Sequence, residues 1–218
     1  MTESLFILFG AASTTAWAVA YGLMIRRGLR DHSYGMPMIA LCLNVSWEAY
    51  FTFFADLPMA ARAGNGAFLL FDLGVLYTCF RFGRKDFDWP LLTGHFTAIL
   101  TATLGIAFVL VYVFISSFND YGILITLLLQ LNYSTLLIAM LIRRNSVKGQ
   151  SLYIGLLILL GDACGLYTAP YTQKMYQPDV PLTWIFTVYG YVLLAHIAYL
   201  LLYVHVARRD GIDPWRRL

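Results

Sequence analysis

Four ionisable side chains stand inside stretches of this sequence that are otherwise apolar: Glu48, Asp72, Asp162 and His196. Two amides, Gln130 and Asn132, stand in similar surroundings. Glu48 is the sharpest case. It lies in Asn44-Val45-Ser46-Trp47-Glu48, within an apolar run over 34–54. A carboxyl group at bilayer depth costs about 2.5 kcal/mol or more, even on lenient insertion scales. Neutral residues of similar size pack there at lower cost, so the acid marks a task. Helical spacing puts Asn44 one turn before Glu48 on the same face. The pair is expected to point into protein, not lipid. Desolvation disfavours the charged form of a carboxyl group, and a neutral carboxyl can act as a general acid.

The last apolar run carries a second pattern. Tyr189, His196, Tyr199 and Tyr203 follow at spacings of seven, three and four, which is one helix face. Such a face lines a cavity, or it packs as an aromatic core stripe with a satisfied histidine; the spacing leaves both open. Asp72 and Asp162 carry a similar pair of readings, a functional site or interhelical hydrogen bonding. At about 1.5 Å of rise per residue, Glu48, Asp72, Gln130 and Asp162 are expected to share one layer in the outer half of a bundle. His196 is expected somewhat deeper.

The positioning elements follow from composition. Of 218 residues, 60% are hydrophobic and 12% charged, against about 25% charged in soluble domains. The chain reads as an integral, multi-pass membrane protein forming a single all-α domain over 1–218. Seven apolar segments approach the length of roughly 17 to 25 residues that a span needs. They run approximately 4–25, 34–54, 66–82, 91–115, 121–142, 151–170 and 181–206, the third being short. Gly155, Gly161, Gly165 and Pro170 in the sixth predict close packing or a bend.

Basic residues predict orientation. Thirteen follow the first, third, fifth and seventh segments, while only Arg62 and Lys174 lie on the other side. The positive-inside bias places the N-terminus outside and the C-terminus in the cytoplasm. Glu3 before the first run and Arg26, Arg27 and Arg30 after it oppose the charge order of a cleavable signal peptide. That run is expected to be retained.

Several function classes are excluded. A net charge of +3 in scattered small groups gives no nucleic-acid surface. Cys42, Cys79 and Cys164 lie in apolar runs and match no metal or disulfide spacing. Retinal needs a lysine in the bundle core, and no DDxxD cluster offers to ionise a prenyl diphosphate through magnesium. Asp86-Phe87-Asp88 sits in a basic loop and reads as a solvated segment. P-loop, nucleophile-elbow and zinc motifs are absent. No metal and no cofactor is expected. A small proton-coupled seven-helix transporter also suits intramembrane carboxylates and a histidine. Against it, no three-helix repeat and no Pro-Gln motif is evident. A non-catalytic membrane subunit leaves the buried acids without a task.

The stretch Asn44-Val45-Ser46-Trp47-Glu48, followed by Tyr50 and Phe51, resembles the second-helix signature of the small integral-membrane terpene cyclases. These act in fungal meroterpenoid and indole-diterpene pathways, and short bacterial relatives cyclise prenylated indoles. Asp72 in the third helix, Gln130 and Ser134 in the fifth, and the loop Arg143-Arg144-Asn145-Ser146-Val147-Lys148-Gly149-Gln150-Ser151 agree with the pattern. The resemblance covers nearly the whole chain. It implies cyclisation of a prenyl chain initiated by protonation of an alkene or epoxide, with Glu48 as one acid. It also implies an Asp in the last helix, but Pro181 to Val206 holds no Asp or Glu, and His196 stands in its place. Either His196 takes over part of that role, or Asp72 or Asp162 does, or the substrate needs less assistance.

Glu48, His196 and Asp72 are the expected catalytic group, and Asn44, Trp47, Gln130, Asp162, Tyr189 and Tyr199 the expected substrate-binding group. A carbocation gains about 0.5–2 kcal/mol from each facing aromatic ring. Trp47, Tyr189 and Tyr199 are the rings in question. The expected partners are a hydrophobic prenylated substrate, such as a farnesylated indole or similar aromatic compound, and the lipid bilayer of a bacterial cell. A prenyltransferase and an epoxidase are expected upstream.

Overall fold

The computed structural model describes residues 2–87 and 89–218. Asp88, the second acid of Asp86-Phe87-Asp88, lies outside them. Seven long helices form: α1 (Glu3–Asp31), α2 (Met38–Phe53), α3 (Met59–Phe82), α5 (Phe96–Phe118), α6 (Ile123–Arg144), α7 (Leu152–Tyr176) and α8 (Leu182–Arg209). A five-residue α4 (Pro90–Gly94) precedes α5. No strand occurs among the described residues.

Proline and local capping set several boundaries. Pro37, Pro58 and Pro181 immediately precede α2, α3 and α8 in extended conformation. A proline in a helix interior would leave a carbonyl unpaired, so each helix begins just after one. Asp120 caps α6 by accepting from the backbone N–H groups of Leu124 at 3.0 Å and Ile125 at 2.7 Å. Ser151 caps α7 by accepting from Ile154 N at 3.2 Å. Such caps contribute about 1 kcal/mol each.

Six of the long helices are long and apolar enough to cross a membrane. The second is not. The expected span over 34–54 is a helix of 16 residues, because Pro37 stops it from starting at Tyr34. The third departs the other way. The expected 66–82 is a helix of 24 residues beginning at Met59. Arg62, which interrupts the apolar run, turns its Nε to the carbonyl of Thr52 at 2.9 Å near the end of α2. α7 also runs past Pro170 to Tyr176 instead of ending there.

The chain divides into two compact units. The first holds α1 up to Ala20, then Phe118–Val147 and Ser151–Leu218. In it α8 packs against both α6 and α7, burying Ile185, Val192, Ala195 and Val206. The second holds Tyr21–Ser117 with Lys148–Gln150. In it α2 packs along α3, and Tyr34, Met36, Leu41 and Val75 are fully buried. Within this second unit Arg27 pairs with Asp31 at 3.0 Å. Asp31 also accepts from Gly149 N at 2.8 Å, and Gln150 Nε2 donates to Gly35 O at 2.7 Å.

Candidate functional site

The polar residues form two groups, each within one unit. In the second unit, Glu48 is 6% exposed and Asp72 is fully buried. Asn44, one turn before Glu48 on α2, donates its amide to the Tyr21 hydroxyl. The Tyr21 and Asn44 side chains both reach the Asp72 carboxyl. Asp72 in turn is close enough to act electrostatically on Glu48. Glu48 Oε2 is buried and has no hydrogen-bond partner among the described residues. Native structures pair buried polar atoms almost without exception, so an orphaned acid oxygen points to use.

Local sequence explains how the group assembles. Gly74, two residues after Asp72, lets α3 approach α1. A Cβ there would stand 2.5 Å from Ile25 Cδ1. The aromatic surroundings come from Trp47 on Phe51, centroids 4.9 Å apart, and from Tyr21 edge-on to Phe68 at 6.0 Å. Trp47 Nε1 is buried without a partner among the described residues. An apolar crevice lined by Leu73, Tyr77, Phe80 and Leu104 opens between α3 and α5. Its lining includes neither Glu48 nor Asp72.

In the first unit, His196 Nδ1 lies 3.0 Å from Asp162 Oδ2, and each side chain is 1% exposed. The side chains of Trp17 and Gln130 converge on the same carboxyl. The Tyr133 ring stands 6.0 Å from the imidazole at 61°, and Trp17 lies 5.8 Å from Tyr133. Tyr133 Oη, both ring nitrogens of His196 and both Asp162 oxygens are buried without a hydrogen-bond partner among the described residues. Glycines on α7 make room for this group. Gly161 receives the Trp17 indole, Gly165 the Tyr189 hydroxyl and Gly155 the Tyr199 ring. Ser13 Oγ donates to Gly161 O at 2.8 Å, which ties α1 to α7 beside Asp162.

Asp72 lies thirteen residues after Met59, the first residue of α3. Glu48, Asp72 and Asn44 assemble in one unit, and Asp162, Gln130 and His196 in the other. Tyr189, His196, Tyr199 and Tyr203 do share one buried face of α8. Tyr21, Trp17 and Tyr133 were missed from the sequence. Each sits in an apolar run with no charge to mark it. One signal was present, since Tyr133 follows Gln130 by three residues and so lies on the same helix face.

A family model described as Pyr4-like transmembrane terpene cyclases matches residues 2–209. Among similar proteins, the Pyr4-family terpene cyclase mfmH of Annulohypoxylon moriforme is 34% identical over 145 residues, 64% of this chain and 59% of that protein. The terpene cyclase macJ of Penicillium terrestre is 27% identical over 219 residues, covering 92% of this chain and 81% of that protein. The terpene cyclase esdpB of Penicillium shearii is 25% identical over 225 residues, covering 96% and 87%. These relatives are fungal and lend no support to the expected bacterial membrane. No solved structure matches.

Proposed function

Because this chain belongs to the Pyr4-like transmembrane terpene cyclases, we propose that Glu48 initiates cyclisation by protonating a prenylated aromatic substrate. The substrate class is a farnesylated indole or a similar aromatic compound. The proton goes to a terminal alkene or epoxide. The observation that carries this reading is the orphaned, buried carboxyl oxygen of Glu48 on an apolar helix. That oxygen has no hydrogen-bond partner among the described residues.

The neighbours fit the chemistry. The Tyr21 and Asn44 side chains stand beside the Asp72 carboxyl, which lies near Glu48. Proton transfer leaves a carboxylate on Glu48 and a carbocation on the substrate. Trp47, Phe51 and Phe68 offer π faces to that cation. The apolar helices exclude water that would otherwise capture it. The reaction class requires a prenyltransferase to supply the substrate, and an epoxidase where the substrate is an epoxide. No observation favours the proton-coupled carrier over this reading.

Glu48→Gln tests it, because the amide keeps the shape and removes the acidic proton. General acids contribute typically about 10²–10⁴-fold. Membranes carrying this variant at wild-type protein level should lose conversion of a farnesylated indole and of an epoxy-prenyl phenol by that factor. Conversion at the wild-type rate would end the proposal.

A further inference from the structure

The crevice between α3 and α5 lies wholly within the second unit. Its volume is about 280 Å³. Leu73, Leu76, Tyr77 and Phe80 line it from α3, and Thr101 and Leu104 from α5. We propose that this crevice holds one acyl chain of an anionic phospholipid, whose phosphate rests on Arg84 and Lys85. The inference does not depend on Glu48 or on the cyclase reading.

The walls suit an alkyl chain. Leu73, Tyr77 and Phe80 follow at spacings of four and three, which is one face of α3. They are apolar, yet 45%, 55% and 51% exposed. Both helices are long and apolar enough to cross a membrane, so the open side of the crevice meets lipid and not water. From Leu73 to Phe80 the lining extends about 10 Å at 1.5 Å per residue. It closes at the end where α5 begins. There the Phe96 ring seats on Gly83, where a Cβ would stand 2.7 Å from Cζ, and Phe87 lies 5.8 Å from Phe96. An empty gap between such helices forfeits dispersion contacts, and an acyl chain restores them.

The closed end supplies the charge. Arg84 and Lys85 follow Phe80 by four and five residues, in the short turn Gly83–Asp86. Both are exposed, and neither has a hydrogen bond or ion pair among the described residues. Trp89, 61% exposed, comes shortly after them, and tryptophan concentrates at the level of lipid headgroups. The end of α1 reaches the same place. Gly28 packs on Thr78, where a Cβ would stand 3.1 Å away, and the His32 ring lies 5.3 Å from Phe82. The sequence thus sets five cations, Arg26, Arg30, Arg81, Arg84 and Lys85, against two acids, Asp86 and Asp88. Such an excess selects an anionic headgroup, and a phosphate accepts strong charge-assisted hydrogen bonds from it. A neutral prenylated molecule offers these cations nothing to pair with, which is why the occupant is assigned as phospholipid.

The test offers purified protein in detergent equal amounts of dioleoylphosphatidylglycerol and dioleoylphosphatidylcholine, and counts bound lipid by native mass spectrometry. Wild type should retain one phosphatidylglycerol in preference to phosphatidylcholine. The double variant Arg84→Gln/Lys85→Gln should weaken that retention about fivefold for each charge removed. Thr101→Trp fills the crevice from an exposed position and should lose the retained lipid. Equal retention of the two lipids by wild type would overturn the proposal, as would undiminished retention in either variant. Displacement of the phosphatidylglycerol by a farnesylated indole would give the crevice to a neutral prenyl chain, and displacement by the same concentration of glycerol 3-phosphate would reduce it to an anion site. Either result overturns the assignment. If Thr101→Trp fails to reach the membrane, the charge variant and the two competitors decide.

Discussion

Gly161 is the seat of Trp17. A Cβ on Gly161 would stand 2.6 Å from Trp17 Cδ1 and 2.8 Å from Nε1, closer than real Cβ contacts come. The indole can converge on Asp162 because the residue beside that acid has no side chain. Gly161→Ala should push the indole away from Asp162. Overpacking of this kind costs about 1–3 kcal/mol. The expected outcome is a lower thermal midpoint in detergent than that of wild type. A variant matching the wild-type midpoint would show that the indole relaxes away from Gly161 without cost.

Tyr21 should affect the start of the reaction and not its end. Its hydroxyl accepts from Asn44 and reaches Asp72. Tyr21→Phe keeps the ring on Phe68 and removes only that oxygen. Net loss of a typical hydrogen bond costs about 1 kcal/mol, and a similar amount of lost positioning would slow turnover about fivefold to tenfold. The product pattern should stay that of wild type. Initial rates and product ratios from the same membranes check both halves. A changed ratio would show that Tyr21 also shapes the course of ring closure.

Much of the fold could be read from the apolar runs, and its errors have identifiable causes. The run over 34–54 hid Pro37, which ends any helix entering from Tyr34. Arg62 broke the third run, although its charge is spent on the Thr52 carbonyl, a partner no local pattern reveals. Glu48 and Asn44 were legible because they share a helix face. The pairing of His196 with Asp162 was not, because it joins α8 to α7 through packing and not through spacing. Tyr21 and Trp17 carried no mark at all. Only their contacts with Asp72 and Asp162 separate them from the other aromatic residues of α1.

The distribution of basic residues predicts a cytoplasmic C-terminus. With seven long helices, the N-terminus would then lie on the other side, provided that α2 crosses despite its 16 residues. At 1.5 Å per residue it extends about 24 Å, against a hydrocarbon core of about 30 Å. Reporters fused after Leu218 and inserted at Asp56 test both statements. The first should report the cytoplasm and the second the opposite side. A cytoplasmic signal from Asp56, combined with a cytoplasmic C-terminus, would mean that α2 does not cross alone as drawn.

The loop between α6 and α7 holds one backbone position that only glycine fits. Gly149 has φ +75, and a Cβ there would stand 2.5 Å from the Tyr34 carbonyl oxygen. The left-handed conformation alone costs a non-glycine residue about 1–2 kcal/mol, and the backbone clash adds to it. Gly149→Ala should therefore disturb the N–H bond to Asp31 and the neighbouring Gln150–Gly35 bond. None of these groups belongs to either cluster of buried acids. The expected outcome is a drop in thermal midpoint and in membrane protein level, with product ratios like those of wild type. Asp31→Asn should lower stability less, since an amide oxygen can still accept from Gly149 while the Arg27 ion pair is lost. Equal stability of Gly149→Ala and wild type would show that the loop relaxes without strain.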